Sequence, residues 1–221
     1  MLEPVELEMY GLVLRPWEEQ DLPAIERGLA DPEYRRWSAV NSPAAYPDGA
    51  RDFLRARTEG WRRGDMTSFA ITDLTTSQVL GSVYAGTLDL DHRSARVGYW
   101  VLPEARGQRV AARGLETMTR WLFQHVGLHR LELGHAVGND ASCRVADRCA
   151  YRVEGIFRGA MVDLSRTPRD IHVHARLATD LPPYRFGQTA VPSAADAARA
   201  HPPAWATAPQ QPTPDRERHP S

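Results

Sequence analysis

Apolar positions along this chain follow two periods, and the periods predict its elements. A two-residue period marks strands at 10–16, 68–72, 79–88, 95–102, 130–137, 151–164 and 170–177. Steps of three and four mark helices at 18–30, through Leu22, Ile25 and Leu29, and at 49–63, through Phe53, Leu54 and Trp61. A third, longer helix carries Ala111, Leu115, Met118, Leu122 and Val126 on one face, and Gly127 is suited to close it with a left-handed residue. Asp31-Pro32 restarts the chain as a short helix through Trp37, and Asn139 or Asp140 caps another over 139–150. Pro43 and Pro47 make 41–48 irregular, and 74–78 reads as a hairpin turn. Strands first, then strand–helix–strand–helix, then two closing strands imply a mixed, mostly antiparallel seven-stranded sheet with helices on both faces, an α/β (α+β type) fold.

The pattern ends near residue 179. Nine of the 17 prolines lie between Leu181 and Ser221, where periodic apolar residues vanish. The expected organisation is a domain over 1–179 and a disordered Pro/Ala-rich tail over 180–221, with Trp205 its one candidate anchor.

Composition narrows the class. With 42% hydrophobic and 25% charged residues, the chain is an ordinary soluble globule. A net charge of −1 gives no bulk attraction to nucleic acid or membrane. No apolar run approaches a bilayer span, and Glu3, Glu6 and Glu8 do not suit a signal peptide, so a cytoplasmic location is expected. All 27 basic residues are arginine. Cys143 and Cys149 would sit about 9 Å apart along a helix, too far for a disulfide, and Cys149 is expected to pack as a small apolar residue. No His/Cys spacing reads as a metal site, so none is expected.

Candidate chemistry centres on 97–114, VGYWVLPEARGQRVAARG. An apolar strand ends at Pro103, an Arg/Gly turn follows, and a helix opens. Free backbone N–H groups and the positive end of the helix dipole then face one point, which suits a phosphate. Many strand–turn–helix units have this form without binding one. A second stretch, Asn139 to Gly155, reads NDASCRVADRCAYRVEG; its Asn-x-x-Ser start is helix-capping chemistry on its own.

Together the two stretches resemble the GNAT superfamily of N-acetyltransferases, in its RimJ/RimL-like, ribosomal-protein branch. The first resembles that branch's acetyl-CoA motif through Arg106-Gly107-Gln108-Arg109-Val110-Ala111, with Arg109 where a second glycine is usual. The second matches through Asn139, Ser142, Val145, Ala146, Tyr151, Glu154 and Gly155, with Ala150 at a usual glycine. Leu12-x-Leu14-Arg15-Pro16 fits the same branch. A left-handed backbone at Ala150 would cost about 1 kcal/mol.

The resemblance implies a bacterial GNAT fold and direct acyl transfer from acetyl-CoA to a primary amine in a ternary complex. The acceptor would be a protein N-terminal α-amine or a small-molecule amine, with neither nucleic acid nor membrane as partner; a homodimer is open. It implies that pantetheine pairs with the strand at Tyr99, Trp100 and Val101, and that the pyrophosphate sits on Arg106, Gly107, Gln108, Arg109, Val110 and Ala111. Asn139, Ser142 and Arg144 complete the cofactor set. Ser142 would stand near the sulfur.

The base is less defined. Where the branch commonly has Glu, two residues before Gly-Tyr-Trp, this chain has Arg96, which cannot accept a proton. The remaining candidates are His135, Glu154, Asp170, His172 and His174. His135 is taken as the catalytic candidate beside Ser142, although a histidine on an apolar strand face is usually a satisfied core residue. Solvent exposure is expected of His172 and His174, and a structural hydrogen bond of Glu154. A lysine-type amine is only about 0.1% neutral at pH 7.5, a penalty of about 4 kcal/mol, whereas an α-amine loses under about 1 kcal/mol. Without a strong base the low-pKa amine is favoured. A weakly active or inactive CoA-binding regulator is the alternative. Tyr34, Trp37, Tyr46, Phe53 and Trp61 suggest either an aromatic acceptor wall or plain core.

Overall fold

Successive side chains of strand β5 (Ser94–Val101) point to opposite faces, and different helices bury the two faces. Ala95 and Val97 join a core under helix α4 (Val110–Trp121) with Leu12, Leu14, Ile71, Val83, Leu115, Met118 and Leu122. Trp100 joins a second core with Ile25 and Leu29 of α1 (Leu22–Ala30) and Phe53 of α3 (Gly49–Arg63). Between α1 and α3 lies the short α2 (Pro32–Arg36), capped by Asp31, whose carboxylate accepts from Tyr34 N at 2.8 Å. The computed structural model describes residues 2–46 and 48–183, so the Pro-rich tail and Trp205 lie outside the described residues.

One sheet holds eight strands in the order β1-β2-β3-β4-β5-β6-β8-β7. The remaining strands are β1 (Leu7–Met9), β2 (Leu12–Pro16), β3 (Thr67–Asp73), β4 (Val79–Asp89), β6 (Arg130–Ala136), β7 (Arg152–Val162) and β8 (Pro168–Leu177). All neighbours are antiparallel except β5 and β6. The eighth strand, β1, is absent from the sequence reading. At three residues it is too short for a period to show. Its turn is Tyr10-Gly11, with φ of 56° and 73°, a hairpin type whose usual signature is Asn-Gly.

Helix α4 runs into a π-helical turn (Leu122–Val126) that Gly127 closes at φ 79°, the left-handed close expected of it. The last helix, α5 (Asp140–Arg148), covers the sheet near β6.

Two features of this sheet build the site. First, β5 and β6 are paired only from Ser94↔Arg130 to Val97↔Leu133. Both strands run on, and from Gly98 and Gly134 their facing edges are no longer bonded to each other. Second, β8 is an interior strand, bonded to β6 on one side and β7 on the other. His174 is therefore buried at 2% exposure and His172 is half-buried. The exposure expected of both is wrong: alternation assigned them one face, but could not show that α5 covers it.

Candidate active site

A cavity of about 760 Å³ opens where β5 and β6 part. One end is the start of α4. Gly107 and Arg109 are both left-handed, at φ 76° and 60°, and no side chain caps the helix, so its first N–H groups face the opening. A Cβ at Gly107 would meet nothing within 4 Å; glycine is needed there for its backbone angle. Arg109, Arg144 and Arg148 line this end, and among the described residues none of the three is in an ion pair. Arg144 and Arg148 lie one turn apart on α5. A helix start and guanidinium groups together can hold an anion.

The sequence-derived cofactor residues meet here with two qualifications. Gln108 does not line the cavity; its side chain donates to Glu104 O at 2.9 Å and closes the turn. Arg106 lines it, but its guanidinium pairs with Asp31 and so ties the turn to the α1–α2 junction. Trp100 turns away from α4. Its indole stacks on Trp17 at 5.9 Å and 24° and meets Phe53 edge-on, leaving backbone for a ligand to pair with.

The middle of the cavity carries Tyr99, Asn139 and Ser142. Asn139 caps α5, its Oδ1 accepting from Ser142 N at 3.2 Å. The Tyr99 hydroxyl is buried beside the Ser142 hydroxyl without a well-formed hydrogen bond, and burial pushes the phenol well above its ordinary range.

At the other end are Tyr34, Trp37, Arg57 and Tyr84. Tyr84 lies flat against Gly98, where a Cβ would stand 2.5 Å from its hydroxyl oxygen. Of the aromatic residues expected to wall this end, Tyr34 and Trp37 do so. Phe53 and Trp61 are core, and Tyr46 is exposed. Arg57 was missed by sequence reading. Its guanidinium lies 4.6 Å from both the Phe53 and Tyr84 rings, with Nη1 on Met66 Sδ at 2.7 Å. Burial lowers its pKa, and among the described residues no carboxylate pairs with it.

The candidate bases fare differently. Arg96 sits at the outer end of β5 with its side chain 72% exposed, 3.6 Å from Glu132, and does not line the cavity. Glu154 is a structural partner of Arg130, at 2.9 and 2.5 Å, as expected. Asp170 accepts from Gly159 N at 2.8 Å in the β7–β8 hairpin.

His135 borders the cavity but has both nitrogens engaged. Nδ1 faces Ala136 O at 3.0 Å; Nε2 faces His174 Nε2 at 3.1 Å and Cys143 Sγ at 3.3 Å. Burial lowers the pKa of His135 and of His174. Cys149 is fully buried, its Sγ on Ala112 O at 3.3 Å, as expected of a small apolar residue; both cysteines are free.

Residues 11–152 match the family model described as the acetyltransferase (GNAT) domain. YdaF of Bacillus subtilis (strain 168), provisionally named a ribosomal N-acetyltransferase, is 26% identical over 120 residues, 53% of this chain and 66% of that protein. The uncharacterized N-acetyltransferase YoaA of the same organism is 24% identical over 169 residues, 76% of this chain and 94% of YoaA. Among solved structures, Mycobacterium smegmatis RimJ in complex with CoA-disulfide superposes at a TM-score of 0.71 with 24% identity, covering 81% of this chain and 88% of that one. RimL, the ribosomal L7/L12 α-N-protein acetyltransferase with coenzyme A, superposes at 0.69 with 20% identity, covering 79% and 98%.

Proposed function

The chain belongs to the GNAT acetyltransferase family, and we propose that it transfers the acetyl group of acetyl-CoA to a primary amine, preferring the α-amine of a protein N-terminus. The observation that carries this reading is the parting of β5 from β6 beyond Val97 and Leu133, which opens into one cavity with a cationic helix start at one end and an aromatic, Arg57-bearing wall at the other. The coenzyme's phosphates belong at the N–H groups of 107–111 with Arg109, Arg144 and Arg148. Pantetheine pairs with the free edge of β5 near Tyr99 to Val101. The acceptor enters past Tyr34, Trp37 and Arg57.

In the reaction a neutral amine attacks the thioester carbonyl. Backbone N–H of β5 near Tyr99 to Val101 stabilises the oxyanion. The C–S bond breaks, and the proton lost by the attacking nitrogen ends on the departing thiolate, within reach of the Ser142 and Tyr99 hydroxyls. Ser142 is kept here as a hydrogen-bond donor. His135 is not assigned as base, because its Nδ1 faces Ala136 O and its Nε2 is turned to His174 and Cys143. With no carboxylate or free imidazole assigned, an amine that is already partly neutral is the credible acceptor, which fits the naming of relatives as ribosomal-protein acetyltransferases.

The test is calorimetric titration with acetyl-CoA, then turnover with a panel of peptide α-amines, lysine side chains and small amines across pH. Expected are micromolar binding and turnover with α-amines whose rate rises with pH towards the amine's own pKa of about 8. Turnover demanding a protein group of pKa about 6–7 would show a dedicated base. Binding without turnover of any amine would leave the regulator.

A further inference from the structure

His135 on β6, Cys143 on α5, and His172 and His174 on β8 point their donor atoms at one spot. One ligand atom from each lies within 4.8 Å of the other three. The separations are Nε2(His135)···Nε2(His174) 3.1 Å, Sγ(Cys143)···Nε2(His135) 3.3 Å, Sγ···Nδ1(His172) 3.2 Å and Sγ···Nε2(His174) 3.8 Å. A tetrahedral zinc with ordinary bond lengths requires edges of about 3.3 Å between nitrogens and about 3.6 Å between sulfur and nitrogen. Four of the six edges stand within about 0.4 Å of that spacing, and the two between His172 and the other histidines lie within 4.8 Å.

Proton accounting points the same way. A carbonyl only accepts, so the Nδ1 that faces Ala136 O carries the hydrogen in His135, and the Nδ1 at 3.4 Å from Tyr151 O carries it in His174. Each Nε2 is then a lone pair, and two lone pairs face each other at 3.1 Å. The single Cys143 proton can satisfy one acceptor only. A divalent cation takes all the lone pairs at once. Backbone carbonyls holding the far nitrogens are the outer partners that orient metal-bound histidines.

We propose that His135, Cys143, His172 and His174 form a tetrahedral metal site of the His₃Cys kind, suited to zinc. Four protein donors leave no open position, so the ion is structural. It joins α5 to β6 and β8, and α5 is the helix that brings Asn139, Ser142 and Arg144 to the cavity. Spacing in sequence gives little hint of it, because Cys143 stands 8, 29 and 31 residues from His135, His172 and His174, across three elements.

The test uses full-length protein without a histidine tag, purified without chelator. Elemental analysis is expected to find close to one zinc per chain. Cobalt(II) added to the metal-stripped protein is expected to give a near-ultraviolet thiolate charge-transfer band and visible bands of tetrahedral intensity. Cys143→Ser should abolish the near-ultraviolet band. His172→Ala, altering the half-buried rim of the cluster, should weaken zinc in competition with a chelator by more than the roughly 10–100-fold lost with a supporting partner. Stripping the wild type should lower its melting temperature, and zinc should restore it. A weak octahedral cobalt spectrum with no thiolate band from folded wild type overturns the site, as does an unchanged band in Cys143→Ser.

Discussion

Arg109 and Ala150 both stand where the family resemblance has glycine, and both backbones are left-handed, at φ 60° and 57°. Family glycines there serve backbone geometry, and this chain carries the strain. Ala150→Gly is expected to stabilise by about 0.5–1 kcal/mol, strain relief less the freedom that glycine adds to the unfolded chain. Thermal melting checks it. Arg109→Gly relieves the same strain but removes a guanidinium from the cavity mouth. It should melt no lower than wild type and bind acetyl-CoA about fivefold more weakly, a loss of about 1 kcal/mol by titration calorimetry. Tighter binding by the variant would mean that Arg109 obstructs the phosphates. At the other end, Arg57→Met should raise the acceptor KM several-fold and leave acetyl-CoA affinity unchanged, since Arg57 lines the end of the cavity proposed for the acceptor. These residue effects were unequally legible. The glycine departures were visible in the sequence; Arg57 is one of five arginines on its helix, and nothing local sets it apart.

Helix α4 shows what an element's pattern can and cannot say. Its apolar stripe through Leu115, Met118, Leu122 and Val126 is buried as the three- and four-residue steps require. Glu116, Thr117 and Thr119, which lie off that stripe, are buried too. The reason lies outside the helix. Glu116 accepts from Arg176 of β8 at 2.6 Å and from Arg120 at 2.8 Å, and Arg176 also donates to Cys149 O at 3.0 Å. With the pair at 0% and 5% exposure, removing one charge strands the other. Arg176→Met is expected to cost about 3–5 kcal/mol, read from denaturant unfolding. Replacing both Glu116 and Arg176 with apolar residues should recover much of that loss.

Across the whole molecule, several carboxylates titrate below their ordinary range. Arg130 holds Glu154 down, backbone N–H groups of Thr167 and Ser165 with Arg169 hold Asp163 down, and Thr76 and Thr75 N–H groups hold Asp73 down. A carboxylate lowered on folding contributes stability that is complete above its unfolded value of about 4 and lost as pH falls through the lowered one. The melting temperature should therefore fall steeply below about pH 4, and Asp163→Asn should reduce that slope. His92, raised by Asp89, acts in the opposite sense, its contribution lost as pH rises past its raised value. At this scale the division between sequence and tertiary structure is clear. Periodicity, caps and turn residues determined seven of the eight strands, the helices, their order and the strand–turn–helix unit over 97–114, because those are set by contacts within a few residues. Only the tertiary structure decided that β5 and β6 part beyond Val97, that Arg96 lies outside the cavity, that Arg57 lies inside it, and that three histidines and a cysteine from β6, α5 and β8 meet. Each depends on which strands become neighbours and which helix covers them, and a local pattern carries no record of either.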